Sequence, residues 1–346
     1  MNTNGDWGVT IRNLLAAITI DSPQQFSFAG RDFTVQAIHN HMAHGAMSSG
    51  VATHPLVTNL SALLYEFAYS RPFRGHLPEP EARSFIIDSE LVEAMSAANA
   101  TRERWEHGWT IGQIMQQGQI VAQQGNNRRN VWPGQFLSKD GPAALLRPGA
   151  EISIFYAKES RSLQGGFYYA FGEAAEEDIR GFGLVRLYWN ISPEGAAKLV
   201  RMITSRLNRF QVPFRLKCAT VVNQFERTDV AVVYLAKRFF RIAAELMLDI
   251  HPAVADFLDP DVPLFSKKIA DGLSVAEDPG TGESFGQSRC QRLAESVWNC
   301  YLRGDQSIDA RLDEFRQLVT KSGIDPDHLH LNAGSLDWYE LPPELA

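Results

Sequence analysis

Apolar residues recur every three or four positions over 10–18 (TIRNLLAAI) and 56–69 (LVTNLSALLYEFAY), which predicts two helices. Ser89 stands where an N-cap is needed for a further helix over 90–99. Segment 110–124 then turns strand-like, and Gly125-Asn126-Asn127 reads as a turn. Near residue 150 the period shortens from 3.6 to two. Segments 151–157, 166–172 and 184–191 read as strands. In the last of these Val185, Leu187, Trp189 and Ile191 point one way, and Arg186, Tyr188 and Asn190 the other.

A helix follows, with Ser192 as N-cap, Pro193 at the first helical position and an apolar stripe through Ala196, Leu199, Val200, Ile203, Leu207 and Phe210. Segment 213–219 is the next strand, with Arg215 and Lys217 opposite Phe214, Leu216 and Cys218; another follows over 229–235, entered past Arg227. A helix over 237–249 leads to a loop, 251–263, that holds three prolines. Ser284 and Gln287 form a capping box for a helix over about 286–302, and a last helix over about 307–322 is closed by Gly323. The pattern predicts an α+β fold: a mostly helical N-terminal region over 1–150, and a 151–346 domain in which a twisted sheet is flanked by helices.

The 346 residues are 45% apolar and 21% charged, enough to bury a sizeable core. A net charge of −7 argues against a nucleic-acid partner, so an anionic ligand needs a local basic pocket. No apolar run is long enough for a membrane span, and no secretory signal opens the chain. Three widely spaced cysteines, Cys218, Cys290 and Cys300, suit neither a disulfide framework nor a paired-cysteine zinc site. A cytoplasmic location is expected.

The polar strand faces carry the candidate chemistry. Arg186, Arg215 and Arg227 supply forked donors for a phosphate, with Asn190 beside them. Lys217 sits among like charges, which lowers a lysine pKa and suits it to act as a base near neutral pH. A merely solvated sheet face would show the same alternation. His39, His41 and His44 cluster in IHNHMAHG, but no acidic or cysteine ligand pattern accompanies them, so no metal is expected. The glycine-rich stretch 280–286 lacks the lysine of a nucleotide-binding loop. It is either a capped helix start or a substrate-facing loop that brings Arg289 or Arg292 to the site.

The stretches GFYYAFGE (166–173), LVRLYWNISPEGAAKLV (184–200), VPFRLK (212–217), RTDVAVVYL (227–235) and GLSVAEDPGTGESFGQSRC (272–290) resemble the HopA effector family, with LLYEFAYSRPF (63–73) as a looser match. That family includes a type III effector and lyases of class V lanthipeptide and thioamitide biosynthesis. The resemblance implies a phosphothreonine/phosphoserine lyase. Such an enzyme takes a precursor peptide, leader and core, phosphorylated by a partner kinase, and leaves dehydrobutyrine or dehydroalanine. The order of elements is also similar to the OspF/SpvC phosphothreonine lyases. That pattern gives Lys217 as base, Tyr188 as acid where those enzymes have histidine, and Arg186 and Arg227 as phosphate ligands, joined by Arg215 from the strand faces, with no cofactor. A non-catalytic phosphopeptide-binding module or a secreted effector acting on a host protein is the alternative.

Overall fold

The computed structural model describes residues 7–35, 53–79, 85–141, 145–174 and 183–342. Helix α1 (Trp7–Ala16) and a small antiparallel sheet, β1 (Ile18–Ser22), β2 (Gln25–Phe28) and β3 (Arg31–Thr34), come first. Helix α2 (Pro55–Leu64) runs into a π-helical turn over Tyr65–Tyr69, and α3 (Ser89–Ala98) follows. A five-stranded antiparallel sheet in the order β6-β5-β4-β8-β7 comes next: β4 (Arg104–Ile114), β5 (Ile120–Gln124), β6 (Asn127–Val131), β7 (Phe136–Ser138) and β8 (Glu151–Tyr156).

The largest sheet has seven antiparallel strands in the order β14-β15-β11-β13-β12-β10-β9. In chain order its elements are β9 (Glu159–Ser160), β10 (Phe167–Phe171), β11 (Leu184–Trp189), α4 (Pro193–Arg209), β12 (Arg215–Ala219), β13 (Ala231–Ala236), α5 (Phe240–Val254), β14 (Lys267–Ala270) and β15 (Leu273–Glu277). Helices α6 (Phe285–Leu302) and α7 (Ile308–Lys321) complete the set. The fold is α+β.

Several local readings need correction. Asp88, not Ser89, caps α3: its Oδ1 accepts the Leu91 N–H at 3.0 Å, and Ser89 becomes the first helical residue. Helix α5 continues through Pro252 to Val254 instead of yielding to a loop at 251. The first 150 residues hold far more strand than their periodicity suggests. Strand β4 hides its alternation because its register shifts between Glu106 and Trp109, around Gly108 at φ +82°. It also pairs with β8, so this sheet reaches past residue 150. The β14–β15 hairpin is short and half-polar, and no periodicity announces it.

The two faces of the large sheet bury different cores. Val185, Leu187 and Trp189 of β11, with Leu216 and Val233, pack against Leu199, Ile203 and Leu207 of α4 and Ala243 and Met247 of α5. The amphipathic spacing of α4 requires this, since its stripe is apolar on one side only. On the other face Tyr188, Val232 and Ala276 join Leu56 and Leu60 of α2 and Phe285, Leu293 and Val297 of α6. Adjacent residues at the end of β15 serve opposite sides. Glu277, almost fully buried, accepts from the Tyr339 hydroxyl at 2.6 Å and the Asn332 N–H at 2.9 Å, and so straps the C-terminal segment to the sheet. Asp278 turns toward Arg186. Among the described residues no helix is long and apolar enough to cross a membrane.

Gly286 lets α6 lie flat on the Tyr69 ring: a Cβ there would stand 2.4 Å from a ring carbon. The Gly286→Ala protein is therefore expected to lose about 1–3 kcal/mol of stability through overpacking. Chemical denaturation checks this, and an unchanged midpoint would show that α6 shifts freely over Tyr69.

Candidate functional site

Strand β13 lies between β11 and β12, and its register lines up two rows of side chains. Arg186 pairs with Tyr234, which pairs with Arg215 on its other side. Two residues along, Tyr188 pairs with Val232, Val232 with Lys217, and Lys217 with Tyr169 of β10. Directly opposed residues share a face of the sheet. Arg186, Tyr188, Arg215 and Lys217 therefore stand on one face, the one on which α2 and α6 pack against Tyr188, Val232 and Ala276.

The two arginines of the first row flank one ring. The Arg186 guanidinium lies 5.4 Å and that of Arg215 5.0 Å from the Tyr234 ring centroid, a cation–π arrangement. Arg186 Nε donates to Asp278 Oδ2 at 2.8 Å, and its Nη2 donates to the same oxygen. Arg215 Nε is buried and has no hydrogen-bond partner among the described residues. Arg227 arrives from the turn before β13. Its Nε and Nη2 donate to the two oxygens of Asp229 at 2.7 and 2.9 Å, and Nη2 also donates to the Tyr65 hydroxyl at 3.2 Å.

Lys217 is half-buried, with its Nζ 3.6 Å from the centroid of the Phe167 ring. Burial pulls its pKa down to about 8; Asp229 opposes this, while Arg227, Arg186 and Arg215 reinforce it. All four basic groups are thus within electrostatic reach of one another. Against four cationic side chains stand two carboxylates, Asp229 and Asp278. The cluster carries an excess of two positive charges while Lys217 is protonated, a complement to a phosphate monoester of charge about −2.

Tyr188 belongs to the second row but is closed over. It is 2% exposed, its ring lies 6.5 Å from that of Phe285, and its hydroxyl interacts with the Tyr69 side chain. Burial drives its pKa upward, so it stays protonated. Asn190 and Arg289 are occupied elsewhere. Asn190 Nδ2 donates to the Asp261 carbonyl at 3.1 Å and ties down the loop after α5. Arg289 is 1% exposed, and its Nε and Nη2 donate to the carbonyls of Leu329 and Leu331, each at 2.9 Å. It fastens the C-terminal segment, and no donor to a phosphate site is evident in that arrangement. Residues His39, His41 and His44 lie outside the described residues. The three cysteines are buried and free.

Sequence reasoning missed Tyr65, Asp229, Tyr234 and Asp278. Asp229 had a signal, since it stands two residues from Arg227 at the start of a strand. Tyr65 had a weaker one, four residues before Tyr69 in a helical stretch. The π-helical turn that stacks these two rings at 5.1 Å is not readable from spacing.

The sequence matches the HopA1 effector protein family over residues 158–331, which takes in every strand and helix of the large sheet and all four basic groups. No curated protein matches the chain. Among solved structures it is similar to the effector protein from Pseudomonas syringae pv. tomato strain DC3000. The identity is 16% over 82% of this chain and 92% of that one, with a TM-score of 0.45. It is also similar to the effector protein from Pseudomonas syringae pv. syringae strain 61, at 13% identity over 79% and 88% of the two chains and a TM-score of 0.43. On the extent of the family match, the chain belongs to the HopA1 effector protein family.

Proposed function

We propose that this protein is a phosphothreonine/phosphoserine lyase acting on a peptide that a partner kinase has phosphorylated. The observation that carries the reading is the half-buried Lys217 on one sheet face with Arg186 and Arg215, and within electrostatic reach of Arg227. In the reaction neutral Lys217 takes the α-proton, the electron pair forms the Cα–Cβ double bond, and the Cβ–O bond breaks to release phosphate. Dehydrobutyrine or dehydroalanine remains. Arg186, Arg215 and Arg227 hold the phosphate and stabilise the charge that gathers on it. Asp278 and Asp229 aim two of those guanidinium groups before substrate arrives.

A proton donor to the leaving phosphate must reach it. Tyr188, expected in that role from the sequence, lies beneath Phe285 and Tyr69, whereas Tyr234 is only half-buried and sits between Arg186 and Arg215. Burial raises the pKa of Tyr234 as well, so it too is protonated at working pH. This favours Tyr234 as donor and Tyr188 as packing. The pairing of Arg186 and Arg227 with carboxylates also suits a second reading, a phosphopeptide-binding effector without turnover, in which the same face captures a phosphorylated segment of a host protein. Product mass separates the two.

The Lys217→Met protein should lose roughly two to four decades of elimination rate yet still bind phosphopeptide, because the arginines remain. Turnover by mass spectrometry and binding by fluorescence anisotropy check this; wild-type turnover in the variant would remove lysine from the base role. Tyr234→Phe should slow elimination by about two decades or more, while Tyr188→Phe stays within a few-fold. The reverse ranking would return the donor role to Tyr188.

The pH dependence follows from the sign of the lysine shift. The active form is neutral, and it predominates above about 8. The kcat/KM, which reports the free enzyme, should rise with pH through about 8 and level off above it. A profile still rising steeply past about pH 10 would mean a lysine with an ordinary pKa.

A further inference from the structure

Among the described residues no carboxylate or hydroxyl holds the Lys217 Nζ; the group that touches it is the Phe167 ring. Residues two apart on a strand share a face. Tyr169 pairs with Lys217 and Phe167 with Ala219, so the β10–β12 register brings Phe167 to the lysine's side of the sheet, one step along the strand. The nitrogen lies 3.6 Å from the ring centroid. So short a distance puts it over the ring face, since in the ring plane the C–H bonds already fill that space. The other cation–π contacts of the described residues span 4.2–5.9 Å. Burial disfavours the lysine's ammonium form, and Arg227, Arg186 and Arg215 add to that; Asp229 acts the other way. Tyr65, Tyr69, Tyr169, Tyr188 and Tyr234 on the same side are kept protonated by burial and bring no charge. The negative face of an aromatic ring favours a cation over a neutral amine. Phe167 therefore acts with Asp229.

We infer that Phe167 is a positioning residue for the base: its ring fixes the Lys217 amine in place and steadies the ammonium that forms when the lysine takes up a proton. An amine that gains charge as it removes the α-proton gains attraction to the ring at the same moment. The contact is then stronger in the transition state than before it, and so lowers the barrier. The ring also sets a floor under a pKa that burial and the arginines would otherwise push further down. A lysine with too low a pKa is a poor base for a carbon-bound proton. Leucine in the ring's place would still bury the lysine but would offer no negative face. That the proton comes from a phosphoresidue rests on the lyase reading; the ring's hold on Lys217 does not.

The test reads Lys217 directly. Full-length protein is labelled with limiting acetic anhydride across a pH series, and acetylation at Lys217 is measured by mass spectrometry after digestion. Three variants are compared with the wild type: Phe167→Leu, Phe167→Tyr, and pentafluorophenylalanine in place of Phe167, which keeps the ring's shape and reverses its quadrupole. Loss of the attractive face should lower the Lys217 midpoint by about half a unit to one and a half units in the leucine and fluorinated proteins, whereas tyrosine should hold it near the wild type. On phosphothreonine peptides the rising limb of kcat/KM should move down with the labelling midpoint, and its plateau should fall roughly three- to tenfold. An unmoved midpoint in the fluorinated protein overturns the inference, because shape alone then accounts for whatever leucine does. A midpoint that moves while the kcat/KM limb stays put overturns the positioning role in the reaction. If the labelling shifts as expected and the wild type eliminates phosphate from no peptide, the ring's hold on the lysine stands and the lyase reading falls.

Discussion

The register of β13 between β11 and β12 sets which side chains share a face of the large sheet. A one-residue slip of β12 would send Arg215 and Lys217 into the apolar layer under α4 and α5, and Leu216 and Cys218 to the opposite face. The apolar halves of the same strands prevent that slip. Val185, Leu187, Val233, Leu235 and Leu216 are all 2% exposed or less and bury only in the observed pairing. The packing on one side of the sheet therefore pays for the alignment of charge on the other.

That alignment is costly in itself, because cations crowd together in a half-buried place. Asp229 and Asp278 offset part of the cost by binding Arg227 and Arg186 with two donors each, and Tyr234 and Tyr65 offer their ring faces to the guanidinium groups. Lys217 has no such carboxylate contact among the described residues, and its relief is to give up its proton more easily. Burial, reinforced by the neighbouring arginines, lowers its pKa to about 8. Helix α6, pressed on Tyr69 at Gly286, covers the β11 end of this face.

Much of this was legible in the sequence where periodicity was clean. Strands β11 and β12, helix α4 and the capping box of α6 follow from alternation, an N-terminal proline and the Ser284–Gln287 pair. The roles of Asp278, Asn190 and Arg289 were hidden because they depend on contacts between segments far apart in the chain. Arg289 reaches carbonyls 40 and 42 residues away, and Asp278 meets Arg186 across 92. The sheet of β4–β8 stayed obscure because a bulge broke its alternation, and β14–β15 because neither strand is long enough to show one. Burial of Tyr188 could not be read from β11 alone: its face is set by the helix that later covers it.

The decisive step in the proposed reaction is removal of the α-proton by Lys217 while the arginines take the phosphate. The most direct measurement is to give the protein a phosphothreonine peptide deuterated at the α-carbon and follow both partners of the reaction by mass. Elimination by Lys217 should give a product lighter by phosphoric acid, with the deuterium gone, formed more slowly than from the protiated peptide. A threonine product that retains its deuterium and has lost only the phosphoryl group, or a peptide bound but unchanged, would contradict it.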